Sequence, residues 1–336
     1  MLPDNGPLLE NGPLLVPLDG SIPAEKPLQV AEAIAELEGN NICVLYVSSK
    51  QLAPGETASQ VGLPDDWVTR MTLLNAVGEP AETICRTAEE INARAILMST
   101  HGAGGNLDTP AGHVTLQVLQ DPPCPVYVLR SALDAGTQVH RLRHLRRILV
   151  PLDGNFESVR SVEEAWALAS RSNARLLMLH IVDSRPETAR APASPVFVDY
   201  PRYELEAWQD EFLRSSFAIA GRPRNANMIV ALRVGDPGEE IIRYATDSDC
   251  DLLIASWKGR LSPGRARVVQ KLLEQATYPL LFLVSRRPDV QVATESRPII
   301  EAASRMRRAR YPAAGSTEGE GSDADSGYAA KAQRSA

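Results

Sequence analysis

The chain has 336 residues, of which 44% are hydrophobic and 23% charged, so it is long enough for two ordinary globular domains and has no low-complexity character over most of its length. Nothing approaches a run of about 20 apolar residues, and the opening Met1-Leu2-Pro3-Asp4-Asn5-Gly6 lacks the basic start and apolar stretch of a signal peptide, which predicts a cytoplasmic protein with no membrane partner. The net charge of −7 is uneven: residues 1–134 carry 6 basic against 17 acidic side chains and residues 135–288 carry 22 against 18, which argues against a specific nucleic-acid partner for the acidic half.

In chain order, the string Asn5 to Leu9 is echoed by Asn11 to Leu15, and its first occurrence reads as a lead-in. The short apolar run Leu14–Leu18 predicts a first strand, followed by an amphipathic helix from Ala24 to Leu37 and a strand over Ile42–Val47. A Gly/Pro-interrupted stretch follows, so the second helix is predicted to be reduced or missing. Met71–Val77 is the next strand, and Pro80 suits a helix start before Ile84, Ala88 and Ile91 at helical spacing. Ile96–Met98, Val114–Leu119 and Val126–Leu129 read as strand, helix and strand.

Residues 131–146 read as a linker that ends in the basic run Arg141 to Arg147. The alternation then resumes with Ile148–Leu152, Val162–Ala169, Leu176–Val182, Met228–Val234, Glu239–Ala245, Leu252–Ala255, Val268–Ala276 and Leu280–Val284. Between the second and third strands of this set lie a Pro-rich stretch, Arg185 to Pro201, and a predicted helix from Tyr203 to Ala220. Beyond Pro288 the alternation stops, and residues 313–336 have too little apolar surface to order themselves.

The two series are one series written twice. Val16-Pro17-Leu18-Asp19-Gly20-Ser21 recurs as Val150-Pro151-Leu152-Asp153-Gly154-Asn155 at an offset of 134. Val77-Gly78-Glu79-Pro80 recurs as Val234-Gly235-Asp236-Pro237, and Ser99 to Gly102 as Ser256 to Gly259, both at 157. Pro125 to Leu129 matches Pro279 to Leu283 at 154. Ordered repeats with small shifts mean a duplicated domain. Short apolar runs alternating with helices predict parallel sheets covered on both faces, an α/β class with two doubly wound, five-stranded, Rossmann-like sheets.

In such a sheet, with strand order 3-2-1-4-5, ligands bind outside the carboxyl ends of the strands where the order reverses. Asp19 and Asp153 follow the first strands, and Gly102 and Gly259 open the loops after the fourth. A glycine loop entering a helix presents backbone N–H groups to phosphate, and an aspartate opposite it can accept from a base amine or ribose hydroxyl. Against this, an aspartate after a strand also serves as a turn or helix cap, and glycines serve turns needing positive φ.

These motifs resemble the universal stress protein family over residues 13–130 and 147–285. The family opens on a strand ending Val-Pro-x-Asp-Gly-Ser, carries a Val-Gly-x-Pro helix start and ends with Gly-x2-Gly-x9-Gly-Ser/Thr before a Cys-Pro-Val strand. The resemblance implies a five-stranded parallel fold, dimer-like pairing of the two copies within the chain around their last strands, Pro125–Leu129 and Pro279–Val284, with room for a homo-oligomer, and stress-response function. It also implies an adenine nucleotide of the ATP type as cofactor, with Mg admitted alongside it. Carried onto this chain, Pro17 and Asp19 take the adenosine side, and Val47 and Met98 pack against the base. Ser99 stands where the family has its first glycine, Gly102 and Gly112 keep the spacing, and His113 with Val114 enters the helix at the family's hydroxyl position. In the second copy Asp153 and Gly259 align, but Ala266-Arg267 replace Gly112-His113 and basic Lys258, Arg260, Arg265 and Arg267 line the shortened loop, making this copy a degenerate partner.

The remaining side chains carry little chemistry. Cys43, Cys85, Cys124 and Cys250 are scattered without metal spacing and read as reduced, mostly packed thiols. His101 reads as an exposed loop residue. Trp67, Trp166 and Trp208 read as packing or rim residues, while Trp257 borders the second cleft and would either cover a ring or fill it. No Gly-x-Ser-x-Gly elbow, P-loop lysine or nucleophile–base pair supports catalysis. A pseudo-dimer acting through protein partners and a weak ATPase are the competing readings.

Overall fold

The computed structural model describes residues 12–20, 25–102, 109–153, 156–183, 227–257, 259 and 266–284. The expected lead-in, the segment 185–220 and the C-terminal tail lie outside them. The strands are β1 (Leu14–Leu18), β2 (Ile42–Ser48), β3 (Thr72–Val77), β4 (Ala95–Ser99), β5 (Val126–Leu129), β6 (Arg147–Leu152), β7 (Arg175–Asp183), β8 (Met228–Gly235), β9 (Leu252–Trp257) and β10 (Leu280–Val284). The helices are α1 (Glu25–Glu38), α2 (Pro54–Val61), α3 (Asp65–Val68), α4 (Pro80–Glu90), α5 (His113–Val118), α6 (Ala135–Arg143), α7 (Phe156–Ser172), α8 (Pro237–Asp247) and α9 (Arg267–Gln275). The Gly/Pro stretch after β2 thus holds the reduced second helix as two short pieces, α2 and α3.

All ten strands form one sheet in the order β3-β2-β1-β4-β5-β10-β9-β6-β7-β8. Each copy has the expected 3-2-1-4-5 order and is parallel within itself. The sheets are not separate, however: β5 and β10 pair antiparallel through Leu280↔Val128, Leu281↔Tyr127 and Phe282↔Val126. Two edge strands that would otherwise expose unpaired N–H and C=O groups satisfy each other.

The apolar runs explain the layering. Leu14 and Val16 of β1 join the core against one face of the sheet, while Leu15 between them joins the core against the other. A strand buried on both faces has no polar position to alternate with, hence its unbroken hydrophobicity. One face is covered by α1, α6 and α7, the other by α4, α5, α8 and α9.

The segment expected to be a linker contains α6, which packs along α1 and buries Leu142. Asp134 caps it, accepting from the Thr137 amide at 2.8 Å. The basic run that begins in its last turn makes its contacts within the chain. Arg143 Nε lies 3.1 Å from Glu36 of the first copy, while Arg141 Nη1 donates to the Cys250 carbonyl at 2.8 Å in the second. Asp251 accepts from the backbone amides of Arg146 and Arg147 at 2.9 and 3.0 Å. These residues strap the copies together.

Beneath the seam lies a buried ionic cluster. Arg94 Nε sits 3.0 Å from Glu38 Oε2, with the two side chains 3% and 1% exposed. Tyr127 of β5 donates to Glu38 Oε1 at 2.6 Å. Glu38 Oε2 has no well-directed hydrogen bond, so the guanidinium balances its charge without fully saturating it. Glu164 of α7 is buried in the field of the same groups. Desolvation, only partly offset by Arg94 and reinforced by Glu38, raises its pKa to about 7.

Candidate functional site

The β1 and β4 strands are adjacent and parallel, with Leu14 opposite Ala95 and Leu15 opposite Ile96. Chain continuity therefore brings the residues after both strands to the same end of the sheet, at the point where strand order reverses. There Asp19 is exposed and Gly102 faces it so closely that a Cβ on Gly102 would lie 2.1 Å from Asp19 Oδ2. Neither Gly102 nor Gly112 has a positive φ. What glycine provides at Gly102 is therefore close approach rather than turn geometry: a side chain there would have to displace the Asp19 carboxylate.

The loop from Gly102 to Gly112 is fastened at both ends. The Gly112 amide donates to the Thr100 carbonyl at 2.6 Å, and Thr115 Oγ1 donates to the Ser99 carbonyl at 2.9 Å. Gly112 N–H is thus spent inside the loop. Its contribution to a ligand would come from having no side chain.

His101 is 7% exposed, not the solvated loop residue expected. Its Nε2 lies 3.0 Å from the Thr109 carbonyl, which can only accept, so Nε2 carries a proton, and Nδ1 lies 3.2 Å from Thr100 Oγ1. Ser131 completes the arrangement: its amide donates to Thr100 Oγ1 at 3.1 Å, and its hydroxyl accepts from the His101 amide and donates to the His101 carbonyl, both at 2.8 Å. The imidazole ties the residue before the loop to Thr109 near its end. Polar groups this buried carry partners because an unmade bond costs about 1–3 kcal/mol.

Of the other expected site residues in the first copy, Pro17 and Val47 are half-buried near the ends of β1 and β2, and Met98 is buried in the core. Ser99 is half-buried, Val114 packs partly on the core, and His113 is exposed at the start of α5. Thr100, Thr109 and Ser131 were not anticipated. Hydroxyl residues beside the glycine loop were the only available signal, and Ser131 comes from the next strand's exit, a pairing that no local pattern reveals.

The second copy does not reproduce this arrangement. Asp153 is exposed after β6, but a Cβ on Gly259 would meet Gln120 O of the first copy at 2.5 Å and nothing of Asp153 within 4 Å. Of the two roles expected for Trp257, its burial fits packing. It is buried, donates from Nε1 to the Leu119 carbonyl and stands edge-on to Phe282 with centroids 6.4 Å apart. His180 of β7, which pairs with Leu152 where Tyr46 pairs with Leu18, is buried with Nδ1 2.9 Å from the Leu152 carbonyl. Burial lowers its pKa and favours the neutral ring. Lys258, Arg260 and Arg265 lie outside the described residues; Arg267 is exposed at the start of α9.

No group of three metal-ligating side chains occurs among the described residues, and no described helix is long and apolar enough to cross a membrane. Cys43 and Cys85 are pushed up to about 11 and Cys250 to about 12 by burial, so these thiols are not poised as thiolates. A small cavity lined by Trp166, Asn173 and Asn227 opens at the amino ends of β7 and β8, away from the Asp19 cleft.

Comparison with known proteins agrees with this architecture. A universal stress protein of Synechocystis is 28% identical over 132 residues, covering 34% of this chain and 83% of the relative. One of Thermus aquaticus is 26% identical over 141 residues, covering 41% and 98%. The crystal structure of a universal stress protein from Archaeoglobus fulgidus has the same fold with a TM-score of 0.54 at 14% identity, covering 80% of this chain and 98% of that one. The sequence model of the universal stress protein family matches twice, over residues 10–130 and 144–283, and the chain is therefore a member of that family carrying two of its domains.

Proposed function

We propose that this protein is a cytoplasmic stress-response regulator that binds an adenine nucleotide in its first copy, with the second copy as a structural and regulatory partner. The observation that carries the reading is the meeting of the Asp19 carboxylate and Gly102 outside the carboxyl ends of β1 and β4. An open-sheet fold places ligands at this crevice. Asp19 accepts hydrogen bonds from the ribose or base amine, Pro17 and Val47 offer apolar surface, and the phosphates lie beside Gly102 and Gly112. Residues 1–134 carry a large acidic excess, so a polyphosphate enters as its magnesium complex, its own charge partly neutralised.

Burial holds the thiols of Cys43, Cys85 and Cys250 above the thiolate range, and the reading is one of binding. Isothermal titration of the full chain with Mg-ATP tests it. Saturable binding that is lost in Gly102→Val combined with Asp19→Ala supports it. Absence of heat at millimolar nucleotide, with the chain folded, refutes it and leaves the pseudo-dimer acting through protein partners. ADP formation above that of a heat-treated control would turn the reading to a weak ATPase.

A further inference from the structure

The second copy's glycine loop has a different task from the first. By the repeat, Trp257 stands where the first copy has Thr100, and Gly259 where it has Gly102. Thr100 turns inward to its own loop, bonding His101 and Ser131. Trp257 instead reaches across the seam to the Leu119 carbonyl, at the carboxyl end of α5. Gly259, at φ +71°, lies so close to the next carbonyl, Gln120 O, that a Cβ there would come within 2.5 Å. The residues that end α5, Leu119 and Gln120, are thus contacted from the other copy, the first carbonyl receiving the indole N–H and the second closely approached by the Gly259 backbone.

The α5 helix is only about 9 Å long at 1.5 Å per residue. Its other end carries His113 and Val114 and is anchored through Thr115 Oγ1 to Ser99 O and through Gly112 to Thr100 O. The helix has buried Val118 and Leu119 but few turns of its own with which to stay folded. The relation is one-sided: Trp257 and Gly259 reach α5, whereas Thr100 and Gly102 are occupied within their own cleft.

We propose that the β9 exit of the second copy is an interdomain latch that holds α5 and thereby supports the closing end of the first copy's ligand loop. Trp257 and Gly259 are positioning residues that act on the first site through α5.

Hydrogen exchange on the full chain, compared between wild type and Trp257→Phe, tests this without any ligand. Phenylalanine keeps an aromatic ring against Phe282 but removes the indole donor, leaving the Leu119 carbonyl unsatisfied. Exchange over residues 109–120 is expected to rise about tenfold, with the second-copy strands β6, β7 and β9 unchanged. Gly259→Ala, whose methyl group must push the loop off Gln120, is expected to give the same local pattern. Unchanged exchange over 109–120, or a uniform rise through both copies, overturns the latch, because Trp257 would then be ordinary core. A second arm rests on the proposed nucleotide binding. If Mg-ATP binds wild type, it is expected to bind Trp257→Phe about fivefold more weakly, and equal affinity overturns the support of the first site. No heat in wild type refutes the nucleotide reading alone, and the exchange result still decides the latch.

Discussion

Glu164 offers a quantitative test of the seam. Its carboxyl is buried beside Arg94 and Glu38, and the folded chain holds its proton up to about pH 7 against an ordinary value of 4.5. The difference corresponds to about 3 kcal/mol between the two protonation states. The folded state binds the proton more tightly than the unfolded one. Below pH 4.5 both states are protonated and Glu164 costs nothing. Between pH 4.5 and 7 the unfolded chain ionises first, so stability falls as pH rises, and above 7 the full cost of about 3 kcal/mol stands. Glu164→Gln keeps the shape and remains neutral in both states. Urea unfolding of the two proteins from pH 4 to 8 is expected to give equal stabilities at the acid end and a variant more stable by up to about 3 kcal/mol at the alkaline end. Taking the difference cancels the other carboxylates. A difference that does not change with pH, or one that grows toward acid, would refute the assignment of a protonated Glu164 at the seam.

Other consequences follow from the same contacts. Arg94→Met strips the only cation in contact with Glu38 among the described side chains, and chemical unfolding is expected to show a loss of about 3–5 kcal/mol; a loss under 1 would mean water reaches the pair. Tyr127→Phe removes a bond to a carboxylate and should cost about 1.5–3 kcal/mol by the same measurement. Leu142→Ala in α6 is expected to cost about 2–5 kcal/mol, whereas a substitution in a loose tether would fall within about 0.5. Iodoacetamide should leave Cys43 and Cys250 unmodified in the native chain at pH 8 and label them only in denaturant; rapid native labelling would contradict their burial.

Much of the architecture is legible in the residues alone, because it depends on local physics. A strand covered on both faces must be continuously apolar, so β1, β4 and β9 announce themselves, and the proline of Val-Gly-x-Pro marks the first turns of α4 and α8. The repeat offsets disclose two copies, and the order within each copy follows from the doubly wound pattern. The Asp19–Gly102 meeting is also legible, since two strands that are neighbours and parallel must deliver their exits to one edge.

Other features needed the tertiary structure, because they arise from pairs far apart in sequence. The family resemblance points to the last strands as the place where the copies meet, but their antiparallel register and fusion into one ten-stranded sheet depend on two strand edges that are distant in sequence. His101 is buried because Thr109 and Ser131 close around it, and loop composition alone says nothing of that. The linker's basic run carries the same letters whether solvated or bonded to Asp249 and Asp251; only the folded seam brings those carboxylates to it. Trp257 is the sharpest case. Its own strand directs it to the ligand edge of the second copy, and the Leu119 carbonyl just past α5 of the first copy, absent from any single-domain pattern, takes its indole instead. Sequence determines which faces are apolar and which ends carry polar groups, while assembly of the copies decides which of those groups remain available for a ligand.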